Sequence, residues 1–340
     1  MTDPQLQLGF DIFDMPLSVA PKPKARAKPR CQPVVAPPPE LDAATMAARL
    51  EQNPDYRVLR RLAPVLNFKR TALGPIMRVL ILDTETTGLD HGRDKIIELA
   101  MLRVDVDTTT GLPVGQVVVF DELEDPGQPI SNEIQMLTGI SSGMVRGKRL
   151  DEARIASLLD GVDLVIAHNA AFDRPFCEAR IPAFSNLAWG CSFADIDWKK
   201  EGHGSAKLEY LAQEKGWFYD AHRAETDCHA LLAVLCEPLP SSQQSGLAKI
   251  MTGSQAPSYC LQATQAPFDA KDALKSRAYR WSAEQRVWHI RLNDEAQLNA
   301  ECAWLKLAVY DGRAARVHIE KMDARVKHSK RAGELSEREI

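Results

Sequence analysis

Two acidic residues follow the most apolar stretch of the chain. Residues 79–82 read VLIL, and Asp83 and Glu85 come directly after them. Side chains two apart on a strand project from the same face, so this spacing places two carboxylates side by side at the end of a buried strand. Burying two like charges is costly unless a positive group compensates them. The pair therefore indicates either a strand end that turns into solvent or a site for a cation.

Two further segments favour the cation site. The apolar segment LVIAHN at 164–169 precedes Asp173, and in DAHRAETDCHALL at 220–232 His222 precedes a predicted helix that contains Asp227. Carboxylate oxygens are hard ligands suited to divalent cations. Two Mg²⁺ or Mn²⁺ ions would neutralise four such carboxylates. Taken alone, His222 would more readily be interpreted as a helix-capping or surface histidine.

The elements that must position these residues form one α/β pattern. Apolar segments at 77–84, 95–104 and 116–121 follow one another without an intervening helix, which is typical of an antiparallel meander. Helical and strand patterns then alternate as far as residue 236. We therefore predict a mixed sheet with flanking helices.

The segments DTETTGL, HNAAFD and HRAETD occur in this order between residues 83 and 227, and they resemble the three motifs of the DnaQ-like (DEDDh) 3′–5′ exonuclease family. The resemblance implies an RNase H-like fold and a metal-dependent enzyme that removes nucleoside 5′-monophosphates from 3′ ends. It makes metal ligands of Asp83, Glu85, Asp173 and Asp227. It makes His222 the general base, a role that suits an imidazole near neutral pH.

The same resemblance indicates the residues that contact the terminal nucleotide. Thr86 would bind near the 3′-hydroxyl and Leu89 would press against a base, while Phe172 would stack on or abut a base. The segment MLTGIS at 136–141 would close over the nucleotide. Its candidates are Leu137, Thr138 and Ile140, although ordinary core packing remains the alternative for each apolar residue.

The chain divides by composition into six segments. Residues 1–40 hold nine of the 21 prolines and form a predicted disordered tail that is rich in basic residues. We assign 41–76 to a helical preface, 77–238 to the exonuclease domain, 239–256 to a linker, 257–325 to a small α+β domain and 326–340 to a charged tail. The small domain shows the β-α-β-β-α-β order of ferredoxin-like folds. Its basic residues, among them Arg280, His289 and Arg291, indicate either a DNA-facing surface or solvated charge.

Composition excludes some classes of protein. The net charge of −4 does not itself indicate a nucleic-acid partner, and no apolar run reaches the roughly 18 residues of a membrane span. The seven cysteines are scattered, and the first residues lack a signal pattern. We expect a cytoplasmic protein with no membrane partner.

The leading functional hypothesis is an exonuclease that acts on single-stranded 3′ ends or frayed duplexes of DNA, in proofreading or repair and in contact with a DNA polymerase. An exoribonuclease that trims RNA is the second enzyme hypothesis, because RNA-trimming members of the family share the five active residues. A binding module with an inactive exonuclease fold is the third. It would be expected to lack an acid or the histidine, and none is missing.

The segment QLQLGF, residues 5–10, predicts binding to a bacterial sliding clamp, because it resembles the clamp-binding motif in Gln5, Leu6, Leu8 and Phe10. Burying two large apolar side chains contributes roughly 1.5–3 kcal/mol each, enough for about micromolar binding after ordering costs. A labelled peptide of residues 1–14 should therefore give saturable fluorescence anisotropy with the clamp of the same organism. Replacing Leu8 and Phe10 by alanine should abolish the signal. Absence of saturation at tens of micromolar clamp would show that the motif is a coincidence.

Overall fold

The apolar strand that ends in Asp83 lies inside a six-stranded sheet. The computed structural model describes residues 42–340. Its strands are β1 (Arg60–Arg61), β2 (Asn67–Phe68), β3 (Ile76–Thr86), β4 (Ile96–Asp107), β5 (Leu112–Leu123), β6 (Leu164–Ala167), β7 (Trp189–Cys191), β8 (Trp217–Phe218), β9 (Ser258–Ala263), β10 (Arg280–Ser282), β11 (Val287–Leu292), β12 (Arg316–Met322) and β13 (Glu334–Glu339).

Helices connect and cover the strands. They are α1 (Ala43–Glu51), α2 (Asn132–Thr138), α3 (Ser142–Val145), α4 (Glu152–Leu159), α5 (Ala170–Arg180), α6 (Ser192–Asp195), α7 (Leu208–Glu214), α8 (Ala224–Cys236), α9 (Gly246–Gln255), α10 (Lys271–Ser276) and α11 (Glu295–Ala308), with 3₁₀ turns at Pro182–Asn186 and Phe268–Ala270. Among residues 42–340, none of these helices has the length and apolar character needed to span a bilayer.

The central sheet has the order β2-β5-β4-β3-β6-β7. The meander β3-β4-β5 is antiparallel, and β6 and β7 then add in parallel to β3. This is the mixed, RNase H-like sheet that the sequence predicts. Because β3 and β6 are parallel, their carboxyl ends lie at the same edge, and the polar residues that follow each strand meet there.

The side chains of β3 alternate between the two faces of the sheet and so contribute to two hydrophobic cores. Val79 and Ile81 pack on one face of the sheet with α8 and α9, whereas Leu80 and Leu82 pack on the other face with α4 and α5. All four side chains are fully buried. The strand that carries the acidic pair is therefore held from both faces.

The predicted helical preface is correct only for α1. This helix belongs to a separate unit, Met1–Asn53, of which residues 42–53 are described, and Asp42 caps it by accepting a bond of 3.0 Å from the backbone N–H of Thr45. Residues 54–76 are not helical: β1 pairs with β8, and β2 pairs with β5. Short segments between prolines cannot repay the cost of helix nucleation, and strand pairing satisfies their backbone groups instead.

The predicted linker at 239–256 is wrong over most of its length. Residues Gly246–Gln255 form α9, which Ser245 caps by accepting a bond of 3.0 Å from the backbone N–H of Ala248. Leu247, Ile250 and Met251 have helical spacing and are buried in the same core as α8. Because the residues before α9 are polar, the overall composition of residues 239–256 does not reveal this apolar face.

The C-terminal strands form a second, antiparallel sheet with the order β10-β11-β9-β12-β13. The four strands β9 to β12, with α10 and α11, have the ferredoxin-like order and topology that the sequence indicates. The additional strand β13 falls in the segment predicted to be a charged tail. It pairs with β12 from Arg316↔Glu339 to Lys321↔Glu334, so most of that segment is structured.

The chain between β12 and β13, residues 323–331, docks on the first sheet, and we name it the docking segment. The carbonyl of Ala324 accepts a bond of 2.8 Å from the backbone N–H of Trp189 in β7. Lys327 and His328 are buried and contact the carboxylate of Asp195 at 2.7 and 3.3 Å. Residues Pro54–Ile340 accordingly form one compact unit.

Arg174 is the main anchor of the docking segment. Its side chain is fully buried, and its guanidinium donates to the carbonyls of Ala324, Arg325 and Lys327 and, at 2.7 Å, to Glu178. The charge is therefore satisfied only when the C-terminal residues are in place.

Replacing Arg174 by alanine should lower the free energy of unfolding by about 3 kcal/mol, because the buried carbonyl of Lys327 loses its donor, and the carbonyls of Ala324 and Arg325 and the carboxylate of Glu178 each lose one of two donors. Urea denaturation of the full chain measures the change. Arg93→Ala is the matched control, because Arg93 is 82% exposed and pairs only with Asp90 at the surface, where a pair is worth about 1 kcal/mol or less. Equal losses in the two variants would contradict the anchoring role of Arg174.

Candidate active site

The acidic pair of β3 lies where the strand emerges from the core. Asp83 and Glu85 continue the face of Val79 and Ile81, which is the α8 side of the sheet. A register shift between Glu85 and Thr86 then ends regular pairing with β4. Both carboxylates are half-buried, so they remain within reach of a ligand in the cleft above them.

Asp227 joins this pair from α8. Its Oδ2 accepts bonds from the backbone N–H groups of His222 at 2.8 Å and Arg223 at 3.2 Å, and its Oδ1 accepts a bond of 3.1 Å from the Tyr219 hydroxyl. These bonds fix its direction. Oxygen atoms of Asp83, Glu85 and Asp227 lie within 4.8 Å of one another, close enough to share an ion.

Asp173 reaches the same edge from the other side of the sheet. It lies on α5, and its Oδ1 accepts bonds from the backbone N–H of Thr84 at 3.2 Å and from the Thr84 hydroxyl at 2.8 Å. The side chain of Thr84 projects opposite to those of Asp83 and Glu85. This residue therefore ties Asp173 to β3 through one carboxylate oxygen and leaves the other oxygen without a hydrogen bond.

Burial and mutual repulsion raise the pKa values of the four carboxyl groups. Burial, followed by the charges of Asp173 and Asp227, holds the pKa of Asp83 well above its usual range. Burial and neighbouring carboxylates raise the pKa of Glu85 to about 8. Burial also raises the pKa of Asp173 to about 7 and raises that of Asp227, although hydrogen bonds oppose both shifts. Without a bound cation, the positive charge near the four carboxylates is too small to balance them.

Arg223 supplies only part of that charge: it lowers the pKa of Glu85, but its guanidinium is bound to another acid. It donates to Glu98 on β4 at 2.6 and 3.0 Å, and the same carboxylate accepts a bond of 2.9 Å from the backbone N–H of Ala224 at the start of α8. Glu98 is fully buried, and this ion pair raises the pKa of Arg223. Sequence reasoning missed Glu98, because a single acid in an apolar strand gives no signal until its partner is located.

The donor set fits divalent cations, since oxygen is the ligand type that Mg²⁺ and Mn²⁺ prefer. Asp83, Glu85 and Asp227 offer one position with three carboxylates. Asp173 is not part of this group of three, but it lines the same cleft. Three of the four expected ligands are thus close enough together to hold a cation.

His222 lies beside the cluster at the entrance to α8. It is exposed to the cleft and has φ of +64°, in the left-handed region that side chains other than glycine rarely adopt. The bond from its backbone N–H to Asp227 stabilises this conformation. The candidate base and a candidate ligand are thus positioned by the same turn.

The four carboxylates and His222 line one open cleft of about 630 Å³. The predicted substrate contacts Thr86, Leu89, Leu137, Thr138 and Phe172 line it as well. Leu89 and Leu137 are 86% and 52% exposed, and both line the cleft. They suit contact with the faces of a base.

The hydroxyl groups of both threonines already have partners. The Thr86 hydroxyl donates to the carbonyl of Gly88 at 2.6 Å, and the Thr138 hydroxyl donates to that of Ile134 at 2.9 Å. Contacts from these residues to a nucleotide would therefore use other atoms. Ile140 is fully buried in a small core with Ile97, so its predicted contact with the nucleotide is wrong.

The cleft contains residues that sequence reasoning missed. Phe193 on α6 is 47% exposed and packs edge-on against His168, and Tyr219 holds Asp227. Burial lowers the pKa of His168 to about 4, and its Nδ1 lies 2.7 Å from the Ser192 hydroxyl, which suits a structural rather than a catalytic role. The clamp-motif residues Gln5, Leu6, Leu8 and Phe10 lie outside the described residues.

Comparisons with known proteins bear on this site. A family model described as RNase_T, exonuclease, matches residues 80–235. The chain is 32% identical over 119 residues to "DNA polymerase III PolC-type" of Thermotoga maritima, which covers 34% of the chain and 8% of the relative. The corresponding protein of Halalkalibacterium halodurans is 35% identical over 124 residues, covering 33% and 8%.

The chain thus spans less than a tenth of the length of these curated relatives. A solved structure of exonuclease X in complex with 5′ overhanging duplex DNA aligns at 24% identity with a TM-score of 0.36, covering 50% of this chain and 99% of that one. The family match spans all three acidic motifs, from the strand before Asp83 to the helix that contains Asp227. Residues 80–235 therefore match an exonuclease family model, in agreement with the resemblance of the three motifs to DnaQ-like exonucleases.

Proposed function

We propose that this nuclease is a metal-dependent 3′–5′ exonuclease that hydrolyses DNA from its 3′ end to nucleoside 5′-monophosphates. One observation carries the proposal. Four carboxylates and a histidine converge in a single cleft whose walls also present two exposed leucines. Cations held by such carboxylates assist the hydrolysis of a phosphodiester, and exposed apolar side chains beside them contact a base.

Asp83, Glu85, Asp173 and Asp227 would hold two Mg²⁺ or Mn²⁺ ions. When bound, these ions lower the pKa of an attacking water and stabilise the developing charge of the leaving oxygen. His222 takes the proton of the attacking water, because it is the histidine exposed to the cleft beside these acids. Leu89 and Leu137 hold the terminal base between them, while Phe172 supports the next part of the strand.

The dimensions of the cleft support an action on chain ends. A volume of about 630 Å³ is in the range of sites for small ligands, so it takes one or two nucleotides rather than a duplex. A strand end that enters such a cleft loses one nucleotide at each cleavage. The 3′ polarity follows the family motifs, since in DnaQ-like enzymes the residues after the first acidic pair receive the 3′-terminal nucleotide.

Two considerations favour DNA over RNA. The similar proteins of Thermotoga maritima and Halalkalibacterium halodurans are named DNA polymerases, and the predicted clamp motif would bring the enzyme to DNA. An exoribonuclease is the alternative, because its chemistry needs the same five residues. Association with a polymerase or a clamp, in proofreading or repair, belongs to the same proposal.

Hydrolysis of a 5′-labelled oligonucleotide tests the proposal. With Mg²⁺, a ladder that shortens from the 3′ end should appear on single-stranded and mismatched DNA, and EDTA should abolish it. Asp83→Asn should lower the rate at least about a hundredfold, because a ligand to the ions that stabilise the transition state is lost.

The matched control is Asp220→Asn, since Asp220 is 76% exposed and pairs only with Arg61. This variant should keep the parent rate. Products that shorten from the 5′ end would overturn the polarity, undiminished activity in EDTA would overturn the metal requirement, and faster digestion of RNA would favour the exoribonuclease.

His222→Ala should reduce turnover at least about a hundredfold, because the group that accepts the proton is removed. Binding of Mn²⁺, followed by calorimetry, should persist, since the side chain of His222 is not a proposed ligand. His91→Ala serves as the control, because His91 lines a different cavity of the same domain. A variant that loses Mn²⁺ binding along with turnover would place His222 among the ligands instead.

A further inference from the structure

One face of the C-terminal sheet packs against α10 and α11, and the other face is buried at Cys260 and Val287 but carries exposed charged side chains on β10 and β11. Tyr259, Leu261, Leu292 and Val317 point towards α10 and α11 and form the core of this part of the chain. The alternate residues of the same strands point away from the helices. We call this side the open face.

The half of the open face formed by β10 and β11 carries an unpaired positive cluster. Arg280 lies directly opposite His289 in the strand register, and Arg291 is two residues further along β11, so the three share this face. Both arginines are exposed. Within residues 42–340, neither guanidinium has a hydrogen bond or an ion pair. Burial, Arg291 and Arg280 together lower the pKa of His289, which places the three groups in one electrostatic cluster.

The other half of the face, formed by β12 and β13, carries acidic residues beside its basic ones. Arg316 and His318 pair with Glu337 across the two strands at 3.8 and 3.4 Å, and Glu320 accepts a bond of 2.7 Å from the backbone N–H of Gly333. The positive character of the open face is thus confined to its β10–β11 half. Unpaired arginines that repel each other favour a ligand with several negative charges.

A chain of contacts links this half to the active-site cleft. Phe193 lines the cleft, and Asp195, two residues later on α6, contacts Lys327 and His328 of the docking segment. Arg291 is near enough to His328 to act on it electrostatically. The positive cluster and the cleft are thus connected through α6 and the docking segment.

We propose that Arg280, His289 and Arg291 bind the phosphodiester backbone of single-stranded DNA that extends from the end held in the cleft, an inference that rests on the proposed function. A flat sheet face contacts a single strand along its length, and guanidinium groups match phosphates in charge and geometry. The contacts involve only the backbone, so they bind any sequence.

The double variant Arg280→Ala/Arg291→Ala of the full chain tests this surface. Fluorescence anisotropy in EDTA, which prevents hydrolysis, gives the affinity for labelled oligodeoxythymidylate of about 20 nucleotides, longer than the usual single-strand site. The variant should bind about tenfold more weakly at low salt, and the slope of log K against log salt should fall by about 1.4, or about 0.7 for each lost phosphate contact. Hydrolysis of a trinucleotide in Mg²⁺ should remain at the parent rate.

The control variant Lys275→Ala/Lys306→Ala removes two charges from α10 and α11, on the covered side of the same sheet, and should bind the oligonucleotide like the parent. Both double variants replace exposed side chains and should melt at the parent temperature. If Arg280→Ala/Arg291→Ala unfolds, Arg280→Gln/Arg291→Gln gives the same measurement with less change in volume.

If the arginine and lysine variants bind the oligonucleotide equally weakly, or if neither binds it more weakly than the parent, the proposed role of this surface is wrong. A larger loss for oligouridylate than for oligodeoxythymidylate would overturn its assignment to DNA. A parent chain that leaves the trinucleotide intact would refute the proposed function, whereas the binding comparison would still decide whether the surface exists.

Discussion

Repulsion among four carboxylates at one edge of a sheet is the constraint that the rest of the domain accommodates. The strand behind Asp83 is fully buried, so the acidic group cannot turn away into water without breaking the core. Hydrogen bonds from Thr84 and Tyr219 offset part of the repulsion. Burial, together with the neighbouring carboxylates, still raises the pKa values of Glu85 and Asp173. The framework thus holds several carboxylates close together, and bound cations would relieve their repulsion. A rigid arrangement of this kind favours the binding of cations that assist a reaction.

The arginine of the third motif serves mainly the framework, and it offsets only a small part of the negative charge. Arg223 and the first turn of α8 are both bound to Glu98, a buried acid of β4. This arrangement anchors the start of α8 against the central sheet. The turn that presents His222 and the bond that orients Asp227 follow directly from that anchor. A mobile start of α8 would move the candidate base and a candidate ligand together, so one ion pair maintains the geometry of both.

The C-terminal residues are part of the same framework. Arg174 follows Asp173 on α5, and its guanidinium is satisfied by carbonyls of the docking segment. The second sheet is thereby attached next to a candidate metal ligand, and its open face is held in a constant relation to the cleft. An exonuclease must retain a strand whose end it repeatedly shortens. A charged surface attached rigidly beside the cleft would suit that need, since electrostatic contacts to the backbone allow a strand to slide.

The sequence by itself determined most of the order of elements, the acidic positions and the resemblance to an exonuclease family, because strand alternation and motif spacing are local properties. It also indicated the ferredoxin-like order of the C-terminal strands. Only the tertiary structure decided how the charges are paired: Glu98 and Asp195 look like ordinary charges in the sequence, and their charged partners lie far away along the chain, as do the carbonyls that accept bonds from Arg174. The same reason explains the errors at 54–76, at α9 and at β13. Each of these segments is too short or too polar to specify its own conformation, and each takes its structure from the surface on which it packs.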